Sequence, residues 1–449
     1  MKRLLIACLA GLAALALAVP ASAIHLGTST DIGSGEGIDF QARGSFKALG
    51  GWSDNTDFND KVNDEDEFVA GQRARLYFEM AANKNVKYVL GLEMGETVWG
   101  NEDEGGDLWT DGNTVEVKHS YLDFNLANYN VKAGLQGVSL PGHFGSNILN
   151  ADAAALTAST QVNDMLSLTA GWVRADDNST SSNQHSEGSD EWDAAFLAAP
   201  ITMDTVSFTP FFAYSWLGKD VSADVADGLK DNASLFWAGF STDINLDPIT
   251  VMADFNYGAL NAEEEENETK GWYGYLEADY ALDMVTPAIF GFYGSGDDED
   301  ADTDGGGIMP KIAPDHWAAN SHFLFDGDTL FTGFADSDLL DKVDGLAGFG
   351  FKLKNIQFMD KLTHDFLVMY AVGTNDKENA KADPTIRYLT DEDSVMTVDF
   401  NTQYAIYENL SALVELGYIN PDFDSDVYDN ADDYDENAWK AAVGFSYSY

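Results

Sequence analysis

Little in this chain offers a covalent or catalytic handle. A single cysteine, Cys8, lies in the first apolar run, so no disulfide can form within the chain and thiol chemistry is lost if that run is removed. Positive charge is scarce. The 24 Lys and Arg residues stand against 76 Asp and Glu, a formal net charge of −52. Nucleic acid is thereby excluded as a partner, because a polyanion is repelled by that field and no basic stripe with interleaved aromatics is present. Long apolar runs are missing after Val19. No transmembrane helix of the roughly 20 residues that a bilayer requires is expected, which leaves a soluble protein or a membrane barrel.

The first residues are of another kind. Lys2 and Arg3 precede an apolar run from Leu4 to Val19, and Ala21-Ser22-Ala23 offers a small-x-small cleavage site. This reads as a secretory signal peptide over residues 1–23. The tetrapeptide Leu5-Ile6-Ala7-Cys8 is like the site at which lipoproteins are cut, but it comes too early to leave a charged end and an apolar core before it. Cleavage after Ala23 removes Lys2, Arg3 and no acid, taking the net charge from −52 to −54.

Hydrophobic residues make up 45% of the chain and aromatics 12%, too apolar for a disordered polyanion. The acid is therefore segregated. It concentrates in Asp57 to Glu67, Glu102 to Asp111, Glu187 to Asp193, Glu263 to Glu268, Asp297 to Asp304 and Asp422 to Glu436. Between these runs apolar and polar residues alternate with period two, the mark of strands with one apolar and one wet face. The last segment is the clearest: Trp439, Ala441, Val443, Phe445, Tyr447 and Tyr449 share one face, and small or polar residues share the other. The set Phe40, Ala42, Gly44, Phe46 and Ala48 repeats the pattern, as does Val86, Tyr88, Leu90, Leu92 and Met94.

Connections alternate between short ones, such as Ala127-Asn128 or Asp243 to Pro248, and long acidic ones. The expected fold is all-β: one transmembrane antiparallel barrel over residues 24–449 with short periplasmic turns and long acidic external loops. About 18 strands are counted, with 16 as the alternative. The segment Val115 to Leu126 changes phase near Ser120, and Trp317 to Phe334 is a candidate loop insert.

Scarce cations cluster on the wet phase of the early strands: Arg43 and Lys47, Arg73 and Arg75, Lys87 and Lys132. A charge facing lipid near the midplane costs about 2–4 kcal/mol, so these six are expected to line the pore as a basic wall. Lys61 and Lys84 fit rim positions instead. Catalysis is not expected. His119-Ser120 and His364-Asp365 are sequence neighbours whose side chains point to opposite faces of a strand, and no partner is evident for His143. Asp300, Asp302 and Asp304 followed by Gly305 open like a calcium loop, but the twelfth position is Lys311 where a bidentate Glu is needed. The run reads as an acidic, solvated loop, with loose divalent binding by the external acids as the weaker alternative; no metal site and no cofactor are expected.

Four stretches carry a resemblance: Gly71-Gln72-Arg73-Ala74-Arg75-Leu76, the strand leading to Trp99-Gly100, Ala133 to Pro141, and Ala151-Asp152-Ala153-Ala154-Ala155-Leu156. Over residues 65–175 the chain resembles the homotrimeric porins of Gram-negative outer membranes, most closely a lineage typical of sulfate-reducing bacteria. That resemblance implies a trimer in the cell outer membrane, amid lipid and lipopolysaccharide. It also implies passive diffusion of small hydrophilic solutes, with a third loop folded inward. Gly137 to Asn150 would be that constriction loop, with Ser139, Pro141, His143, Asn147 and nearby Asp152 as candidate residues. Familiar porins place several carboxylates in this loop, whereas here none occurs before Asp152. The family's terminal Phe, read by the barrel-assembly machinery, is Tyr449 here, with Trp439, Phe445 and Tyr447 completing the candidate assembly signal. The rival function is a non-conducting surface or adhesion barrel.

Overall fold

The computed structural model describes residues 38–55, 58, 67–103, 105–109, 114–177, 190–221, 229–299, 305–314, 344–378, 389–425, 427 and 436–449. The signal peptide, His25, Lys61, the Asp300–Asp304 run and the Trp317–Phe334 insert lie outside them.

Nineteen strands form one antiparallel sheet. In chain order they are β1 (Asp39–Asp54), β2 (Glu67–Asn83), β3 (Val86–Val98), β4 (Val115–Leu126), β5 (Tyr129–Ser139), β6 (Asn150–Gln161), β7 (Ser167–Asp177), β8 (Glu191–Ala198), β9 (Ile201–Thr202), β10 (Val206–Leu217), β11 (Ala233–Asn245), β12 (Ile249–Asn261), β13 (Thr269–Tyr280), β14 (Thr286–Gly294), β15 (Leu346–Met359), β16 (Leu362–Gly373), β17 (Ser394–Tyr407), β18 (Leu410–Asp422) and β19 (Ala438–Ser448).

Strands β8 and β9 both pair with β10 and make one stave, so the wall has 18. The break has a chemical cause. The ladder skips from Phe211↔Ala198 to Phe208↔Ile201, placing Pro200 and Pro210, neither of which has an amide hydrogen, at the same gap. The sheet closes where β1 pairs with both β2 and β19, from Ser45↔Ser448 to Asp54↔Trp439. Closure leaves no unpaired edge, which hydrocarbon would not tolerate.

Alternation sorts the two faces in the inverse sense of a soluble protein. Phe40, Phe68, Ile289, Phe349 and Phe445 are large apolar side chains exposed on the outside, while Glu277, Lys352, Asp399 and Lys440 are buried inside. Each short turn follows its sequence. Asn83 Oδ1 accepts the Asn85 amide, and Asn163 Oδ1 accepts those of Met165 and Leu166, the side-chain capping for which Asn is favoured in turns. Ala127 adopts φ +54° in the two-residue turn at 127–128.

The phase change expected near Ser120 is a β-bulge. The ladder passes from Gly91↔His119 to Leu92↔Val117, so Lys118 is the extra residue and Val115 and Val117 stay outside with Leu122. The connection read as Asp243 to Pro248 is shorter than expected: β11 runs on through Asn245, and Asp243 remains in the wall facing inward.

Candidate functional site

The β5–β6 hairpin is longer than its place in the wall. Its two strands pair with each other to Ser139↔Asn150, but β4 accompanies β5 only to Leu135 and β7 accompanies β6 only from Ala154. Residues 136–153 thus lack wall neighbours on both sides and turn into the lumen. The departure begins at Gly134, φ +130°, where a Cβ would stand 2.4 Å from the Ser120 carbonyl oxygen, so only glycine fits.

One flank of this hairpin is tied to the wall it leaves. Asp152 accepts from Lys118 Nζ at 2.7 Å and lies 2.8 Å from His119 Nε2. The bulge brings both partners inward, because without Lys118 as an extra residue the two neighbours would point to opposite faces. Ser120 points outward, sharing a 2.9 Å hydrogen bond with Tyr88. His364 and Asp365 are separated in the same way, one contacting Thr402 and the other capping the Asn355 amide.

The tip crosses to the far wall. His143, for which the sequence suggested no partner, is enclosed by β11 and β12. Its Nδ1 lies 2.7 Å from Asp254 Oδ1, its Nε2 3.1 Å from Asp243 Oδ1, and its own amide donates to Asp254 Oδ2 at 2.9 Å. Burial alone would lower the pKa of His143, but hydrogen bonds and charge attraction from Asp254 and then Asp243 outweigh it and hold the imidazole above its ordinary value. Ser241 Oγ approaches the same Nδ1 that meets Asp254, at 3.2 Å.

Phe144 next to it packs edge-on against Tyr275 at 5.0 Å and lies under Lys352 Nζ at 4.7 Å. Ser139 Oγ donates to the Leu140 carbonyl, and Asn147 is buried beside Ile148 and Leu149. At the tip the loop contributes an imidazole and the wall the carboxylates, whereas at its flank the hairpin contributes the carboxylate of Asp152 and the wall contributes Lys118 and His119.

A second insert braces the first. Residues 305–314, from the long connection between β14 and β15, run beside the hairpin tip. The Asn150 amide donates to Ala313 O at 2.7 Å, and Ile312 donates to Ile148 O at 2.9 Å. Trp237 Nε1 donates to Pro310 O at 2.6 Å. Together the inserts cover the inner side chains of β7 to β14 in one apolar core containing Val173, Phe196, Leu235, Trp237 and Phe290.

The lumen is therefore lopsided. Trp237 is 0% exposed, whereas the Arg43 side chain, also on an inner face, is 65% exposed. Water reaches the β1–β5 side of the lumen, where Arg43, Lys47, Arg73, Arg75, Lys87 and Lys132 all stand opposite the apolar phase of their strands. Their charge is not bare. Arg43 pairs with Glu79 at 3.5 Å, Arg75 with Glu93, and Lys87 with Glu79 at 2.7 Å and Asp123 at 3.7 Å. Lys132 lies over the Tyr121 ring.

On the other side of the inserts β13 and β15 carry a second charged set. Glu277 receives Lys352 at 2.8 Å and Lys354 at 2.6 Å, and Lys354 also reaches Asp279 at 2.6 Å. Sequence reasoning missed this set, Asp243, Asp254, Lys118 and the 305–314 insert. Glu277-x-Asp279 and Lys352-x-Lys354 have the same two-apart spacing that singled out Arg73 and Arg75, so the signal was present.

No known protein-family description and no curated protein matches the sequence. Solved structures do match the fold. Pseudomonas aeruginosa OccK8 (OprE) superposes with a TM-score of 0.55 at 10% identity, covering 93% of this chain and 99% of its own. Acinetobacter baumannii OccAB4 gives 0.52 at 10%, covering 91% and 98%. The outer membrane protein OprD of Pseudomonas aeruginosa gives 0.50 at 14%, covering 93% and 95%. At such identities the likeness is one of architecture, and the chain has the fold of these barrels.

Proposed function

We propose that this protein is a porin of the Gram-negative outer membrane, a water-filled channel through which small hydrophilic solutes and ions diffuse passively into the periplasm. One observation carries the reading: among the described residues, a closed barrel of 18 staves with large apolar side chains outside, charged side chains on its inner face and a hairpin that turns into the lumen. The reading includes no catalytic step and no cofactor. It places export on the signal peptide and insertion on the barrel-assembly machinery. The outer girdle meets lipid and lipopolysaccharide.

The basic wall from Arg43 to Lys132 would line the passage, with the acidic external loops above it. Fixed charge lining a pore sets which ions enter, so the loops should favour cations and the wall should temper that preference. Planar-bilayer recording tests both statements. A large steady conductance is expected, and closed barrels would favour the non-conducting surface protein instead. In a salt gradient, Arg73→Ala/Arg75→Ala should shift the reversal potential toward greater cation selectivity. An unchanged potential would remove these two residues from the permeation path.

The homotrimer implied by the sequence resemblance draws on the small outward residues Ala42 and Ala48 of β1, which ease close approach of a neighbouring barrel beside Phe40 and Phe46; the space over Gly44 is taken by the Tyr449 ring. Cross-linking in native membranes should yield trimers, and monomers alone would rule the assembly out.

A further inference from the structure

The hairpin that narrows the lumen ends on an imidazole both of whose nitrogens face carboxylates. His143 Nδ1 is 2.7 Å from Asp254 Oδ1 and Nε2 is 3.1 Å from Asp243 Oδ1. A neutral imidazole carries one N–H, so it can donate to one of these acids only and must aim a lone pair at the other. The doubly protonated ring donates to both. We propose that His143 is a pH-operated latch: as imidazolium it pins the hairpin to the β11–β12 wall, and on losing a proton it lets the tip go.

The other groups around it do not supply a substitute. On β11 the ring faces Asp243 and the Ser241 hydroxyl, and on β12 Asp254. Beyond Phe144, Glu277 on β13 and Lys352 and Lys354 on β15 are engaged with one another. Asp243, 41% exposed against 3% for Asp254, is the partner that water replaces first. Asp254 also holds the His143 amide, so the tip would pivot about Asp254 rather than detach at once.

The direction of the response follows from the elevated affinity for the proton. A group that binds its proton more tightly when docked stabilises docking fully at pH below its undocked value, roughly 6.5. That stabilisation is lost as pH rises through the higher docked value. The hairpin is therefore held in acid and freed as the pH rises.

The test uses the full barrel refolded in detergent, with amide-exchange protection of residues 140–149 normalised to intrinsic rates between about pH 6 and pH 9. In wild type, protection should fall about tenfold across that range, on the scale of one charge-assisted hydrogen bond. His143→Gln, which has no titrating group, should give a flat and lower profile. Asp243→Asn offers an amide that can donate to the neutral ring, so docking should persist across the range; this variant decides the matter if His143→Gln does not fold. A wild-type profile that is already flat, or a tenfold fall retained in His143→Gln, overturns the latch. The inference rests on the barrel reading but not on conduction: a barrel that shows the transition and passes no current would sink the channel and leave the latch standing.

Discussion

Deleting Phe445 to Tyr449 is expected to abolish the folded barrel, giving no heat-modifiable band in outer-membrane fractions. The five residues lie on the seam that closes the sheet. Toward β1 the cut removes Phe445↔Ala48, Ser446↔Lys47, Tyr447↔Phe46 and Ser448↔Ser45, together with the reciprocal backbone bonds of Tyr449 and Gly44 at 3.0 Å. Toward β18 it removes Phe445↔Ala412, Ser446↔Ser411 and Tyr447↔Leu410. Several amides and carbonyls would then face hydrocarbon, each at a cost of several kcal/mol, which exceeds the 5–15 kcal/mol by which a typical protein is stable. The deleted side chains cannot compensate elsewhere, since Phe445, Tyr447 and Tyr449 point outward and belong to the lipid-facing girdle. A heat-modifiable band at wild-type abundance would show that the seam can close without them.

Strand alternation was legible because a barrel has two solvents. Every residue on β1 or β19 meets lipid or lumen with period two, so Phe46 against Lys47, or Phe445 against Ser446, is decided locally. The bulge at Lys118 was legible as a change of phase for the same reason. What crosses the lumen was not. Asp243 and Asp254 lie 100 and 111 residues beyond His143, and nothing local to Gly142-His143-Phe144 says which wall the tip will reach. The boundary of the hairpin was approximate, because Gly137 to Ser139 still pair as strand and only the loss of β4 and β7 as neighbours releases them. Asp243 was placed in a turn because Asn245, Asp247 and Pro248 are strong turn formers, and the pairing Asp243↔Met252 outweighed that local signal. The 305–314 insert carries too few alternating residues to read as a strand, and its apolar Ile308, Met309 and Ile312 have meaning only once Trp237 and Ile148 are placed beside them.

The buried pair Glu277–Lys352 offers the second large effect. Both side chains are nearly sealed, 1% and 2% exposed, and Lys352 Nζ lies between the rings of Phe144 and Phe290 at 4.7 and 4.5 Å. An ammonium so placed has little water, and the attraction to Glu277 and to the ring faces stands in for it. Glu277→Leu takes away the carboxylate and leaves the ammonium in place, so the barrel should lose about 3–5 kcal/mol in urea unfolding. Lys354 would be less affected because Asp279 still holds it at 2.6 Å. The double variant Glu277→Leu/Lys352→Met separates two meanings of that loss. If the cost is that of one stranded charge, removing the second charge should return stability to within about 1 kcal/mol of wild type, as replacing a buried pair by apolar groups of similar size often does. If the pair is instead needed to seat Phe144 and the hairpin tip, the double variant should stay as unstable as the single one and its conductance should rise as the tip loosens. A single variant within about 1 kcal/mol of wild type would mean that water enters beside Lys352 and that this side of the lumen is wetter than its packing implies.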